Sequence, residues 1–332
     1  MITSRTPFRI PFAGGGTDID FYYKKKGGLL ISAAIDQYAY ALIKKRELDK
    51  KILVQTTSTE FVNNVSEIKH NFIREILKYF KIKDSMQLAT FSTLPTKSGL
   101  GSSSSITVGL LKTLFFQNNV QINQAKLAKE AFKIERKILK LDGGLQDQIV
   151  ASFGGIIKIK IEKSGKFKVT KLRINKEKKE KIEQNLILIF TKEIRDSNNI
   201  IETQRKNVNK KNIIETYDKL KNKVIPMENA LINGNIKQIG KIFDDHWKLK
   251  KNLSDNISNN YLNKFYTKLM NTKLFYGGKI IGAGGGGFLL FYSETPNKLR
   301  QALKKTKLEE VERTRLYNFK FMLTSLCFSL IQ

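Results

Sequence analysis

Residues 94–105, Leu-Pro-Thr-Lys-Ser-Gly-Leu-Gly-Ser-Ser-Ser-Ser, constrain this chain more than any other stretch. They follow an alternating run, Met86 to Ser92, that reads as a strand, and they open a helical run, Ile106 to Phe116. Small residues at such a junction let backbone N–H groups converge, and the positive end of the helix behind them attracts an anion. Four serines add hydroxyls suited to a phosphate oxygen or a metal ion. No Gly-Lys-Ser/Thr closes the stretch, so it is not a Walker A loop. Its glycine spacing and the absence of a preceding βαβ unit exclude the dinucleotide fingerprint. The stretch predicts a phosphate-binding loop of another kind.

The rest of the chain must supply what faces that loop. A length of 332 residues exceeds the usual single core, so two domains are expected. No run of about 18 apolar residues suggests a membrane span; the longest candidate, Phe321 to Ile331, is short and interrupted by Thr324 and two serines. Met1 to Arg9 lacks the pattern of a signal peptide. Cys327 stands alone, which excludes an intramolecular disulfide and a thiolate cluster. A cytoplasmic location is the simplest expectation. His70 and His246 both fall in helical surroundings and read as ordinary helix-face histidines. The net charge of +30 comes from 60 Lys and Arg against 30 Asp and Glu. The lysines are dispersed, with no basic run interleaved with aromatics, and Lys, Asn and Ile share A/T-rich codons. A solvated Lys-rich surface is favoured over a nucleic-acid site, and it would steer phosphorylated substrates inward.

Residues 2–10 read as a strand leading into Gly14-Gly15-Gly16-Thr17-Asp18. Leu29 to Ile43 reads as strand, turn, strand, with Asp36-Gln37 near the turn, and Lys51 to Thr56 as another strand. Ser66 is the expected cap of a helix carrying Ile68, Phe72, Ile76 and Tyr79 on one stripe. Asn123 caps a helix to about Leu139, broken by Asp142-Gly143-Gly144, and Leu145 to Phe153 forms a short helix. Ile156–Ile161 and Phe167–Leu172 form a hairpin across Ser164-Gly165. The polar run Asn175 to Gln184 marks the boundary between domains 1–175 and 176–332. Beyond it the order is strand (Asn185–Phe190), helices (197–270), two short strands around Gly284–Gly287, a helix opened by Pro296, and a closing strand at Arg315–Met322. That is a split βαβ pattern with extra helices inserted.

Three glycine-rich segments in this order resemble the motifs of the GHMP kinase superfamily. They are Thr6-Pro7-Phe8-Arg9-Ile10-Pro11-Phe12-Ala13-Gly14-Gly15-Gly16-Thr17-Asp18, Pro95-Thr96-Lys97-Ser98-Gly99-Leu100-Gly101-Ser102-Ser103, and Lys279-Ile280-Ile281-Gly282-Ala283-Gly284-Gly285-Gly286-Gly287. The Gly-Gly-Gly-Thr-Asp form and Phe190-Thr191-Lys192-Glu193-Ile194-Arg195-Asp196-Ser197 are similar to the branch that phosphorylates anomeric hydroxyls of sugars. The resemblance implies an α+β fold of two domains, the first like the second domain of ribosomal protein S5 and the second ferredoxin-like with inserted helices. It implies an ATP- and Mg²⁺-dependent sugar 1-kinase acting on a small sugar phosphate, with D-glycero-D-manno-heptose 7-phosphate as the leading acceptor and L-fucose as the alternative. Homo-oligomerisation stays open.

The resemblance also implies roles. Lys97, Ser98, Gly99, Leu100, Gly101, Ser102 and Ser103 would cradle the ATP phosphates. Ser103, chosen over Ser102 by register, would ligate Mg²⁺ together with Glu135, a hard-oxygen pair of the kind that ion prefers. Asp147 would accept the anomeric proton and Arg9 would hold it ionised. Gly14, Gly15, Gly16, Thr17 and Asp18 would meet the sugar, and Gly284 and Gly285 would close the site. Arg195 and Ser197 are the candidates for the distal phosphate of the sugar. By residue type alone, Glu135 also reads as a surface ion-pair partner and Asp147 as a helix N-terminal carboxylate, and a structural ion pair suits Arg195 equally well. Lys97 stands where the superfamily usually has glycine and either adds charge near the phosphates or points to solvent.

Overall fold

The computed structural model describes residues 1–95, 99–191, 197–209, 212–254, 257–304, 309–310 and 323–325. Its first half contains β1 (Ile2–Ala13), α1 (Asp20–Lys26), β2 (Gly28–Lys45), β3 (Ile52–Gln55), β4 (Thr59–Val62), α2 (Asn71–Tyr79), β5 (Met86–Ser92), α3 (Ser102–Gln117), α4 (Gln124–Phe132), α5 (Gln146–Phe153), β6 (Ile156–Ile161) and β7 (Phe167–Lys171). Its second half contains α6 (Lys176–Asn185), β8 (Leu186–Phe190), α7 (Ser197–Lys206), α8 (Ile213–Asn222), α9 (Val224–Asn233), α10 (Ile236–Lys251), α11 (Asn260–Asn271), β9 (Gly277–Ile280), β10 (Phe288–Tyr292), α12 (Pro296–Lys304), β11 (Glu309–Glu310) and β12 (Leu323–Ser325).

Two sheets organise these elements. The first runs β12-β1-β2-β5-β3-β4, with β6 and β7 extending from β2. The second runs β11-β8-β10-β9. β12 therefore returns from the end of the chain to pair with β1, at Ile2↔Ser325 through Ser4↔Leu323. The closing strand expected at Arg315–Met322 lies outside the described residues; β11 pairs with β8 instead.

β2 departs from the strand-turn-strand expectation. It is one strand of 18 residues, paired through Gly28–Ala33 with β6 and through Ala39–Lys45 with β5. The polar pair Asp36-Gln37 is absorbed as an irregularity, because the register with β1 jumps from Pro7↔Tyr38 to Arg9↔Ala34. Such a bulge re-aims a side chain without ending the sheet. The side chain at the jump is Arg9. The cap at Ser66 is also corrected: Asn64 caps a short turn over Val65–Glu67, and α2 begins at Asn71 behind His70, whose Nδ1 accepts from Ile73 N at 3.5 Å.

One buried cluster spans the two halves. Phe8, Ile10 and Phe12 of β1 pack with Val224 and Met227 of α9, Phe243 of α10 and Phe288 and Leu290 of β10, all fully buried. Arg205 of α7 adds a polar tie, reaching Asp20 at 2.8 Å and Asp142 at 3.0 Å. No helix among the described residues is long and apolar enough to cross a membrane.

Candidate active site

A cleft of about 700 Å³ opens where the two halves meet. Its floor is set by a backbone contact that only glycine allows. Gly99, at φ +84°, would carry a Cβ 2.8 Å from Ile281 O, and Gly282, at φ +79°, one 2.6 Å from Gly99 Cα. The second and third glycine-rich segments therefore touch directly, and both line the cleft.

The serine loop delivers an open helix end. Gly101 takes the left-handed conformation (φ 77°, ψ 25°) as N-cap of the 16-residue α3, and no described side chain caps its first turn. First-turn N–H groups left without an acceptor are an anion site. Ser103 is exposed on the cleft, whereas Ser102 and Ser104 are buried. Lys97 and Ser98 lie outside the described residues.

Behind that helix end sits the catalytic pair of the expectation. Arg9 Nε donates to Asp147 Oδ1 and Nη2 to Asp147 Oδ2, each at 2.8 Å. Its Nη1 donates to Gly99 O, and its backbone N–H reaches Leu100 O at 3.0 Å. The guanidinium thus bolts the loop to the carboxylate. A bidentate fork of this kind fixes orientation as well as charge. The side chain of Arg9 is 9% exposed and that of Asp147 is 25% exposed, so the carboxylate is the partner that faces the cleft.

Glu135 is nearly fully buried, not a surface ion-pair partner. It lies in a π-helical turn, Lys133–Ile138, that follows α4. The wider turn, marked by Leu139 N donating to Ile134 O at 2.9 Å, rotates Ile134 and Glu135 inward. Its Oε2 accepts from Ser104 Oγ and Gln148 Nε2, both at 2.9 Å, and lies 3.4 Å from Arg136 Nη1. Oε1 accepts from Thr107 at 2.7 Å. Burial pushes the Glu135 carboxyl up, against the pull of Arg136 and these donors. A cation beside Glu135 would favour its charged form, and Oε1, with a single described donor, has capacity to spare. With the exposed Ser103 hydroxyl on the same cleft, these hard oxygens fit a Mg²⁺ ion.

Asp18 is buried at the other end. Its Oδ2 accepts Gln146 N at 2.9 Å and its Oδ1 accepts Gly16 N at 3.2 Å. Burial, with the Asp147 charge adding, pushes its carboxyl up. Gly144 makes room for it: a Cβ there would stand 1.8 Å from Asp18 Oδ2. The neighbouring triplet divides its work. Gly14 packs against Leu29 O and Val224, whereas Gly15 and Gly16 both line the cleft, Gly16 against the Tyr217 ring and Gly15 with only Pro11 Cβ nearby at 3.8 Å. Thr17 is fully buried, its hydroxyl bonded to Gly14 O (2.7 Å) and Leu29 O (2.9 Å), so it holds the loop and does not reach the cleft.

The third segment also shifts by two positions. Gly282 and Ala283 line the cleft, while Gly284 and Gly285 pack on Ile257, the latter through a 2.8 Å bond from Gly285 N. The geometry therefore replaces Gly284 and Gly285 with Gly282 and Ala283 as cleft contacts. Arg195 and the side chain of Ser197 lie outside the described residues.

Several cleft residues are absent from the sequence-based set. His246 and Lys250 of α10 and Lys279 of β9 line the cleft, as do Arg136, Gln146 and Tyr217. A signal existed for the first two. Ile239, Phe243, His246 and Lys250 follow the 3–4 spacing of a single helix face, so a histidine and a lysine continue an apolar stripe. His246 does lie on a helix face, but that face is buried and lines the cleft. Towards α2 the cleft is walled by Phe72, Ile73, Phe91 and Ile106, with Thr56, Thr57 and His70 at hand.

The family model for the GHMP kinases N terminal domain matches residues 68–155. D-glycero-alpha-D-manno-heptose 7-phosphate kinase of Campylobacter jejuni is 33% identical over 318 residues, covering 92% of this chain and 93% of its own. The crystal structure of a D-glycero-D-manno-heptose 1-phosphate kinase from Bacteroides thetaiotaomicron shares the fold at a TM-score of 0.80 and 23% identity, covering 98% of this chain and 100% of that one. Galactokinase of Lactococcus lactis, solved with galactose, shares it at a TM-score of 0.71 and 16% identity over 95% and 93% of the two chains.

Proposed function

We propose for this chain, which belongs to the GHMP kinase family, the transfer of the ATP γ-phosphoryl group to the anomeric hydroxyl of D-glycero-D-manno-heptose 7-phosphate. The product would be the 1,7-bisphosphate, a precursor of nucleotide-activated heptose for surface glycans. The observation that carries this reading is the Arg9–Asp147 fork, held against the serine loop and facing the cleft that Asp18 and Gly15 also line. The substrate class follows the heptose 7-phosphate kinase to which the chain is similar along nearly its full length.

The triphosphate would lie on the N–H groups that open α3, with its base towards Phe72 and Phe91. Ser103 and Glu135 would hold Mg²⁺, which neutralises phosphate charge when bound. Ser104, Thr107 and Gln148 fix the Glu135 carboxylate for that purpose. Asp18 and the Gly15 backbone would anchor the sugar hydroxyls. Asp147 accepts the proton of the anomeric hydroxyl as its oxygen bonds to phosphorus and the bond to ADP breaks. An anomeric hydroxyl is more acidic than an ordinary alcohol, so a carboxylate suffices as base. Arg9 keeps that carboxylate oriented and offsets charge on the transferring group.

Steady-state turnover of ATP with heptose 7-phosphate, unphosphorylated heptose, L-fucose, galactose and mannose tests this reading. The expected result is highest kcat/KM for heptose 7-phosphate. Highest kcat/KM for L-fucose would transfer the assignment to a fucokinase, and no ATP consumption with any sugar would refute a sugar kinase.

A further inference from the structure

The carboxylates of the cleft are nearly all committed. Asp147 binds Arg9, Glu135 lies beside Arg136, and Asp142 meets Arg205. Lys250 and Lys279 have no ion-pair partner among the described residues, although both line the cleft. Lys250 Nζ donates to Gly282 O. Lys279, 1% exposed, donates from Nζ to Phe12 O at 2.8 Å and stands 4.7 Å from the centre of the Phe243 ring. One carbonyl each leaves ammonium donors unused.

His246 adds an independent sign. It is 2% exposed, lines the same cleft, and neither ring nitrogen has a hydrogen-bond partner among the described residues. Buried polar groups are almost always bonded, so an orphan facing a cavity marks a missing partner. His246 and Lys250 are one helical turn apart on α10, and Lys279 arrives beside them from β9. Burial holds all three towards their neutral forms, and their neighbours add to this: Lys279 and Lys250 on His246, Lys250 and Arg9 on Lys279, and Arg9 on Lys250. Asp18 is the carboxylate that opposes this on Lys250. Its oxygens already accept two backbone N–H groups. The corner therefore combines surplus donors, mutual repulsion of cations and a buried orphan histidine. A dianion with several acceptor oxygens meets all three conditions; a neutral hydroxyl can bond the donors and the histidine but leaves the repulsion between the cations in place.

We propose that Lys250, Lys279 and His246 seat the phosphate group carried by the sugar substrate, and that this seat makes the enzyme select a phosphorylated over an unphosphorylated sugar. The proposal rests on the sugar-phosphate reading above and assigns it a place in the cleft. It puts the discriminating contacts on α10 and β9, not on Arg195 or Ser197.

The test compares native protein with Lys250→Met, which keeps an unbranched side chain of similar length and removes the charge. The quantity read is the ratio of kcat/KM for heptose 7-phosphate to that for heptose. Loss of one buried charged contact is expected to lower this ratio roughly 30- to 100-fold, chiefly through KM for the phosphorylated sugar. His246→Gln, which keeps a donor, is expected to retain more of the ratio than His246→Leu. An unchanged ratio in Lys250→Met overturns the proposal. So does collapse of the ratio in Arg195→Ala with Lys250→Met at the native value. A second readout separates this seat from the identity of the sugar: inorganic phosphate is expected to raise the Tm of native protein more than that of Lys250→Met. If heptose 7-phosphate is not turned over but this difference persists, the anion seat stands and the acceptor assignment fails. If inorganic phosphate raises both Tm values equally, the seat is refuted whatever the acceptor.

Discussion

The two sides of the cleft are built differently. On the N-terminal side the charged groups already have partners: Arg9 grips Asp147, and Glu135 accepts from Ser104, Thr107 and Gln148. On the C-terminal side, among the described residues, Lys250 and Lys279 each donate to a single carbonyl and His246 has no hydrogen-bond partner. The first wall is preorganised, as electrostatic catalysis requires. The second is incomplete until a ligand arrives, as selective binding allows. The difference suggests a division of labour: mutations on the first wall should fall on kcat, and those on the second on KM for the acceptor.

The largest expected effect lies on the first wall. Asp147→Asn keeps the shape but removes the base, so kcat should fall about 10²- to 10⁴-fold while ATP still binds, as single-turnover kinetics and nucleotide titration would show. Native turnover in this variant would break the comparison at its strongest point. Next comes Gly144→Ala, whose methyl would meet Asp18 Oδ2 at 1.8 Å. Overpacking of this kind is expected to lower stability by about 1–3 kcal/mol and to weaken acceptor binding. Gly15→Ala, with only Pro11 Cβ nearby at 3.8 Å, should leave the Tm unchanged in calorimetry. Ser104→Ala removes one donor from Glu135 and should weaken apparent Mg²⁺ affinity about 10-fold without altering KM for the sugar.

A smaller effect than those of Asp147→Asn and Ser104→Ala is expected on pH dependence. Burial lowers Lys250 to about 8, with Arg9 contributing and Asp18 opposing. Its charge is therefore present below about pH 8 and lost above it. KM for heptose 7-phosphate should rise a few-fold as pH passes through about 8, and that limb should vanish in Lys250→Met. The other groups facing Lys250 are Arg9, His246, Lys279 and the Gly282 carbonyl.

The sequence made the first wall more legible than the second. Glycines and serines at 99–105 advertise a loop because their chemistry is local: strand, turn and helix end are consecutive. Glu135 is reached only through the motif resemblance, since nothing in Lys133–Ile138 announces the π turn that buries it. Asp36-Gln37 looked like a turn because polar pairs usually are; here β1 and β2 remain paired on both sides and the excess residues form the bulge at Arg9. Thr17 and Gly284 carried the right motif but the wrong orientation. Which residue of a glycine-rich turn meets a cavity depends on distant partners such as Leu29, Tyr217 and Ile257. The second wall needs α10 and β9 together, more than 25 residues apart in sequence and joined only by tertiary packing. His246 and Lys250 on an apolar stripe were the one local trace of it.

The position that receives the phosphoryl group distinguishes an anomeric kinase from every other sugar kinase. Phosphorus NMR of the product from ATP and D-glycero-D-manno-heptose 7-phosphate reads this in a single experiment. It should show one new phosphate ester coupled to the anomeric proton, formed in step with ADP and with the original 7-phosphate resonance retained. ADP released without an anomeric ester, or a phosphate placed on another hydroxyl, would contradict the account.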